Sequence, residues 1–258
     1  MTIPTSAAEK LITAPLPALS INSFSGLRVA ITGGTSGLGL ALVRELVNRG
    51  ARVAFVARTR ERVEQVMREI PNAHGIVGDV SSKEDIYPIA IQITGELGGL
   101  DVLINNASDL GPTPLPMLSD TECEDLERVF ATNVFGPFRL TKALMGALAA
   151  SAREGRGAVV LNVSSDAAVN PYPGWGSYGS SKAALHHMSR IWNEEHAAEG
   201  VRFLSLDPGD MDTPMHAAAI PDADPATLKR PEQSAHEFAE AIKKALPQIL
   251  RMEEHDSR

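Results

Sequence analysis

From residue 27 onward, short runs of β-branched and aliphatic residues alternate with longer stretches of amphipathic pattern. The runs at 27–32, 52–57, 75–80, 101–105, 158–163 and 201–206 have the length and apolar density of buried strands. The stretches at 37–49, 60–70, 83–97, 120–150, 177–199 and 231–246 predict helices. Strands buried on both faces belong to parallel sheets, and regular alternation with helices marks βαβ units. The pattern therefore predicts one doubly wound, Rossmann-like parallel sheet. Ligands of such sheets sit beyond the carboxyl ends of the strands, where the polar motifs of this chain fall.

The first strand end carries Thr32-Gly33-Gly34-Thr35-Ser36-Gly37-Leu38-Gly39. It joins a strand to a helix starting near Gly37, so backbone amides and the positive helix end converge on a place suited to a pyrophosphate. Gly33 can adopt an unusual φ, while Gly37 and Gly39 allow close approach of a phosphate and a neighbouring strand. A purely structural tight turn is the competing account. No Lys follows the last glycine, which disfavours a mononucleotide P-loop. The second strand leads into Arg58-Thr59-Arg60, where an NAD site usually places a carboxylate. Arg58, helped by Arg60 or Ser36, can instead meet a 2′-phosphate with charge-assisted hydrogen bonds, which favours NADP over NAD. Solvation at a helix start competes with this, more strongly for Arg60 than for Arg58.

A chain of 258 residues, 43% hydrophobic and 22% charged, suits one α/β domain with a substantial core. Its net charge of -8 argues against nucleic acid or an anionic membrane surface as main partner. The lone Cys123 excludes an intramolecular disulfide and fits a reducing compartment. The seven histidines lack zinc-ligand spacing, so no metal is expected. No apolar stretch approaches the roughly 20 residues of a membrane span, and a cytoplasmic protein is expected. Residues 1–25, with Pro4, Pro15 and Pro17, read as a loose arm, 26–250 as the domain with a lid near 210–230, and 251–258 as a charged tail.

Tyr178 and Lys182 are four residues apart on a predicted helix, hence on one face. The spacing is commonplace until a third group is found. Ser165, just past the end of the fifth strand, is such a group, and the Gly, Pro and aromatic loop between them can fold back. A unit charge about 5 Å from the phenol, at an effective dielectric near 20, is worth roughly 3 kcal/mol. That predicts a tyrosine acidified by about two units before desolvation opposes it. Such a tyrosine can exchange a proton with a carbonyl or hydroxyl oxygen as hydride moves to or from a nicotinamide, with Ser165 holding that oxygen.

Together these residues resemble the short-chain dehydrogenases/reductases, over about residues 27–213. The motifs stand in order: Thr32-Gly33-x-x-x-Gly37-x-Gly39, Asp79, Asn105-Asn106-Ala107-Ser108, Asn133, Ser165, Tyr178-x-x-x-Lys182 and Pro208-Gly209-x-x-x-Thr213. The resemblance implies that Tyr178 is the acid/base, Ser165 orients the substrate oxygen, Lys182 also binds the nicotinamide ribose, and Asn133 holds a relay water. It implies a cofactor cleft lined by Gly33, Thr35, Ser36, Gly37, Leu38, Gly39, Arg58, Asp79, Val80, Asn105, Ala107, Tyr178, Lys182, Pro208, Gly209 and Thr213. Asp79 would meet the adenine, and Thr213 the carboxamide. On the residues alone, Asn133 also reads as a helix-bending residue, Asp79 as a strand-end cap, and Thr213 as an N-cap before Pro214.

The chain departs from the family where Ser108 replaces the Gly of Asn-Asn-Ala-Gly, and at its carboxyl end, where the usual closing strand and glycine pair are absent. A seventh strand is therefore in doubt. Dimerisation through the long helices holding Asn133 and Tyr178 is expected by resemblance. Pro173, Trp175, Met211 and Met215 are candidate substrate contacts, with 110–117 and the segment after Thr213 as specificity loops. The expected activity interconverts a carbonyl and a secondary alcohol. The alternatives are a silent nucleotide-sensing protein, or an epimerase or dehydratase that retains its cofactor.

Overall fold

The structure is a computed structural model that describes residues 24–247. Six strands form one sheet: β1 (Arg28–Thr32), β2 (Arg52–Ala57), β3 (Ala73–Val77), β4 (Val102–Asn105), β5 (Ala158–Val163) and β6 (Val201–Leu206). All neighbours are parallel, in the order β3-β2-β1-β4-β5-β6. The order reverses between β1 and β4. That switch point opens a crevice at the carboxyl ends, as the sequence pattern predicts.

Side chains alternate between two cores. Val29, Ile31, Val53, Phe55, Val102, Ile104, Val159 and Leu161 face α1 (Gly37–Asn48), α2 (Arg60–Glu69) and α8 (Pro231–Ala245). Ala30, Ala54, Val56, Leu103 and Val160 face α3 (Ile86–Leu97) and α5 (Gly136–Arg153), with Trp192 of α6 (Gly176–His196) packed at the margin. Both sheet faces are thus apolar, which is why the strand runs carry so few polar positions.

Three elements differ from the sequence pattern. β3 begins at Ala73 and ends at Val77, because the next residues turn into a polar knot: Asp79 N donates to Asp85 Oδ2 at 2.9 Å, and Asp79 Oδ1 accepts from Ser81 N at 2.9 Å. The stretch 120–150 is not one helix. Glu122 is extended, α4 (Cys123–Phe130) follows, and a π-helical turn, Ala131–Phe135, leads into α5, with Pro137 in its first turn. A short helix α7 (Pro214–Ala219) occupies the expected lid, capped by the Thr213 hydroxyl, which accepts from His216 N at 3.2 Å. The described residues contain no seventh strand. Most of the amino-terminal arm and the whole charged tail lie outside them.

At the amino-terminal edge of the sheet, Asp101 is fully buried. Its carboxylate accepts from Arg28 N at 2.8 Å, the Arg28 guanidinium at 2.6 Å, the Arg156 guanidinium at 2.8 Å and Ser151 Oγ at 2.6 Å. Arg156 also reaches Gly26 O at 2.8 Å, which ties the entry to β1 to the α5–β5 connection.

Candidate active site

The glycine turn is built against the end of β4. Thr32 Oγ1 accepts from Asn106 N and Ala107 N, both at 3.0 Å, and the Asn106 amide donates to Thr32 O at 2.9 Å and Gly33 O at 3.2 Å. Gly33 has φ +71°, and a Cβ there would lie 3.0 Å from Ala107 Cα. At Gly39 a Cβ would lie 2.0 Å from Gly33 O. These positions have no space for a side chain, whether or not a ligand is present.

This turn forms one end of a cleft. Of the residues singled out in the sequence, Gly33, Thr35, Ser36, Gly37, Leu38, Gly39, Arg58, Asp79, Val80 and Ala107 line it. So do Tyr178, Lys182, Pro208, Met211, Thr213 and Met215. Arg58 is exposed at the mouth, and Arg62, in the first turn of α2, faces the same space. Arg60 does not line the cleft.

Asn105 lies beneath the floor rather than in the wall. Its amide donates to Asn162 Oδ1 at 2.7 Å and Thr141 Oγ1 at 3.2 Å, and Asn162 in turn donates to Ser189 Oγ at 2.8 Å. This buried chain locks β4, β5, α5 and α6 together. Asn105 Oδ1 is left without a hydrogen-bond partner.

Tyr178 and Lys182 share the inward face of α6, 8% and 2% exposed. Ser165 Oγ accepts from Ala167 N at 3.2 Å and donates to Asp166 Oδ1 at 3.2 Å. The Ser165 and Ser108 hydroxyls both favour the ionised form of Tyr178. Lys182 Nζ donates to Val163 O at 2.8 Å and lies 5.4 Å from the centre of the Tyr178 ring. The ammonium thus faces the ring and a strand-end carbonyl.

The expected acidified tyrosine is not found. Burial pushes the Tyr178 phenol up to about 12, against the downward pull of the Ser165 and Ser108 hydroxyls, and the Asp207 carboxylate pushes it further up. Lys182 is likewise governed by burial, which lowers it to about 8 although Asp207 favours its charge. Desolvation, which the sequence estimate left out, is the larger effect.

Asn133 stands in the π-helical turn, and its side chain is fully engaged. The amide donates to Asp109 O at 2.8 Å and Ser181 Oγ at 2.9 Å, while Oδ1 accepts from Asp109 N at 2.7 Å and Ser108 Oγ at 3.2 Å. On the other side, Trp175 packs edge-on against Tyr178, with ring centres 5.7 Å apart, in a small apolar cluster with Leu110, Leu115 and Ala219. Gly209, Pro173, Ser165 and Trp175 are not in the cleft wall. The segment bearing Met211 is clasped by Lys229, whose N–H donates to Asp210 O and whose O accepts from Asp212 N, both at 2.9 Å.

Sequence reasoning passed over Asn106, Arg62 and the bonding of Ser108. Asn106 and Ser108 stood in a motif already quoted. Arg62 lies in the first turn of α2, four residues after Arg58, and nothing in the apolar pattern marks it.

The short chain dehydrogenase family model matches residues 28–224. The chain belongs to that family and is an oxidoreductase. Among its relatives, glucose 1-dehydrogenase of Gluconobacter oxydans is 29% identical over 239 residues, covering 88% of this chain and 87% of that one. Serine 3-dehydrogenase of Agrobacterium fabrum is 32% identical over 187 residues, 72% of each chain. Among solved structures, a 3-ketoacyl-(acyl-carrier-protein) reductase from Brucella melitensis complexed with NADH superposes with TM-score 0.77 at 27% identity, covering 83% of this chain and 90% of that one. A metagenomic short-chain oxidoreductase in complex with NADP superposes with TM-score 0.71 at 29% identity, covering 86% and 92%. No described helix is long and apolar enough to cross a membrane, and no described group of His, Cys, Asp and Glu is disposed to hold a metal.

Proposed function

We propose that the protein interconverts a carbonyl and a secondary alcohol in a small or medium organic molecule, with NADP as hydride carrier. The cleft fits a dinucleotide: at Gly37 no Cβ projects towards Thr213 across the cleft, and the positive end of α1 points into it. Arg58 and Arg62 stand at the adenine-ribose end with no carboxylate partner among the described residues, which suits a 2′-phosphate. Among solved relatives several hold NADP or NADPH and one holds NADH, and the two arginines suit the former. Asp79 and Val80 would flank the adenine, Lys182 the nicotinamide ribose and Thr213 the carboxamide.

The bound nicotinamide supplies or accepts the hydride. Tyr178, protonated at neutral pH, gives its proton to a carbonyl oxygen held by Ser165. Because the Asn133 side chain is fully engaged, its part in a proton path falls to its backbone carbonyl in the π-helical turn, a kind of element often found at functional sites. Met211 and Met215 give the cleft an apolar wall on the substrate side, and Trp175 packs edge-on against Tyr178 beside it. Exposed Phe135, Phe138 and Ile191 beside and along α5 and α6 support a homodimer through those helices.

The observation that carries this reading is a cleft lined at one end by Tyr178 and Lys182 and at the other by the glycine turn with Arg58 and Arg62 beside it. The test is a panel of ketones, aldehydes and secondary alcohols, followed by cofactor absorbance with NADPH and NADP+. Carbonyl-dependent oxidation of NADPH is expected. Failure of NADPH to quench or shift protein fluorescence at any concentration would refute the reading.

A further inference from the structure

Tyr178 belongs to two surfaces at once. It lines the cleft, and it is also buried in a small apolar cluster with Leu110 and Ala167, against which Leu115, Trp175 and Ala219 pack. Three segments bring that cluster together. The stretch 110–118 lies on the turn that opens α6: a Cβ at Gly174 would meet Leu115 Cβ at 3.5 Å, and one at Gly176 would meet Leu118 Cδ1 at 2.6 Å. Ala167 and Trp175 come from the segment between β5 and α6. The third side is α7, which gives Ala219 to the cluster and Pro214 and Met215 to the cleft wall. Further out on the first and third of these segments, Met117, Leu118, Met215 and Ile220 stay exposed, so the apolar surface runs from the Tyr178 ring to solvent.

The polar groups of this neighbourhood answer one another. Ser108 Oγ donates to Asn133 Oδ1 at 3.2 Å and Lys182 Nζ to Val163 O at 2.8 Å. Next to Ala167, the two oxygens of Asp166 accept from Ser165 Oγ at 3.2 Å and from the Tyr172 hydroxyl at 2.7 Å. Among the described residues, the cations of the cleft wall are Arg58 and Arg62, beside the glycine turn, and the buried Lys182. A carboxylate or phosphate entering beside Tyr178 would therefore lose water without meeting a free cation, close to the Asp166 carboxylate. A chain of hydroxyls would lose water without gaining partners. An aliphatic or aromatic group gives up no hydrogen bond and gains by burial.

We infer that the substrate is an uncharged, apolar carbonyl compound or its secondary alcohol, with an aliphatic or aromatic group lying against the cluster around Tyr178 and beneath Met215 of α7. The inference rests on the carbonyl–alcohol chemistry proposed above and names the substrate class for it. It excludes oxo acids, phosphorylated ketones and polyols.

The test follows NADPH oxidation and alcohol formation, one for one, by the full-length protein on matched pairs of ketones. One pair is 2-hexanone and 5-oxohexanoate, in which a carboxylate replaces the terminal methyl. The other is 3-pentanone and 1,3-dihydroxyacetone, in which hydroxyls replace the two methyls. Each apolar ketone should exceed its polar partner in kcat/KM by roughly 100-fold, and kcat/KM should rise about fourfold per methylene from 2-butanone to 2-hexanone, the worth of one buried CH₂. Met215→Lys places a cation in the cleft wall and should shift the ratio of 2-hexanone to 5-oxohexanoate about tenfold towards the oxo acid. Binding is read without turnover by saturation-transfer NMR on NADP+-saturated protein, which should detect 2-hexanone and not 5-oxohexanoate at equal concentration. An oxo acid or dihydroxyacetone that is used or bound as well as its apolar partner overturns the inference. Binding of 2-hexanone in preference to 5-oxohexanoate, with no turnover of any ketone, overturns the proposed function instead, so the two failures are separable.

Discussion

Burial sets the proton chemistry of the two residues on α6. A phenol held near 12 is a proton donor across the physiological range, so reduction should dominate near neutrality and alcohol oxidation should climb with pH. Lys182 is charged below about 8 and loses its charge above it. NADPH-dependent reduction should therefore fall above about pH 8, and in Lys182→Arg, which stays charged, that limb should move to higher pH. A pH–rate profile with its alkaline limb in the same place in both proteins contradicts this assignment. At the opposite end of the cleft, Arg58→Asp or Arg62→Asp should lower the NADPH-to-NADH affinity ratio roughly tenfold or more, since each removes a charge-assisted contact. Fluorescence titration with both nucleotides measures it, and an unchanged ratio in both variants argues against the 2′-phosphate site. Tyr178, Lys182, Ser165 and Arg58 were legible as residue types at telling positions. Their protonation was not, because it depends on desolvation, which only the packed fold supplies.

The elements were legible where one signal dominated. Apolar runs marked β1, β2, β4 and β5 nearly to the residue because they are largely buried on both faces, and β6, half-buried at the sheet edge, keeps the same run. β3 was placed too late, since Val80 extends the apolar spacing past Gly78 and Asp79 while the Asp79–Asp85 hydrogen bond ends the strand. The break at Glu122 and the π-helical turn around Asn133 left no mark in the periodicity, which carries apolar spacing but not backbone hydrogen-bond register. Where the backbone comes closest, the glycine turn is the most sensitive element. Gly39→Ala puts a methyl 2.0 Å from Gly33 O and should cost about 1–3 kcal/mol of stability together with NADPH binding. Unchanged thermal melting and nucleotide affinity in that variant would show the turn to be yielding rather than fixed.

At the scale of the whole molecule, the sheet separates stability from chemistry. The site lies at the carboxyl edge, while Asp101 anchors the amino-terminal edge. Burial pushes its carboxyl up, but the hydrogen bonds from Arg156, Arg28 and Ser151 outweigh this and hold it well below the usual carboxylate range. Its stabilisation is complete above the unfolded pKa near 4 and is lost as pH falls below that value. Asp101→Asn should destabilise by about 3 kcal/mol, lowering Tm by on the order of 10 °C at neutral pH, and should weaken the acid dependence of Tm. Equal melting curves would remove Asp101 from the account. None of this staple was visible in the sequence, where Arg28, Asp101 and Arg156 are far apart. The account as a whole turns on Tyr178. The most direct measurement is the turnover of native protein and Tyr178→Phe on a carbonyl substrate from the panel, with NADPH affinity measured alongside. A fall in kcat of about 10²–10⁴ with affinity retained is expected. Turnover within a few-fold of native would contradict the account.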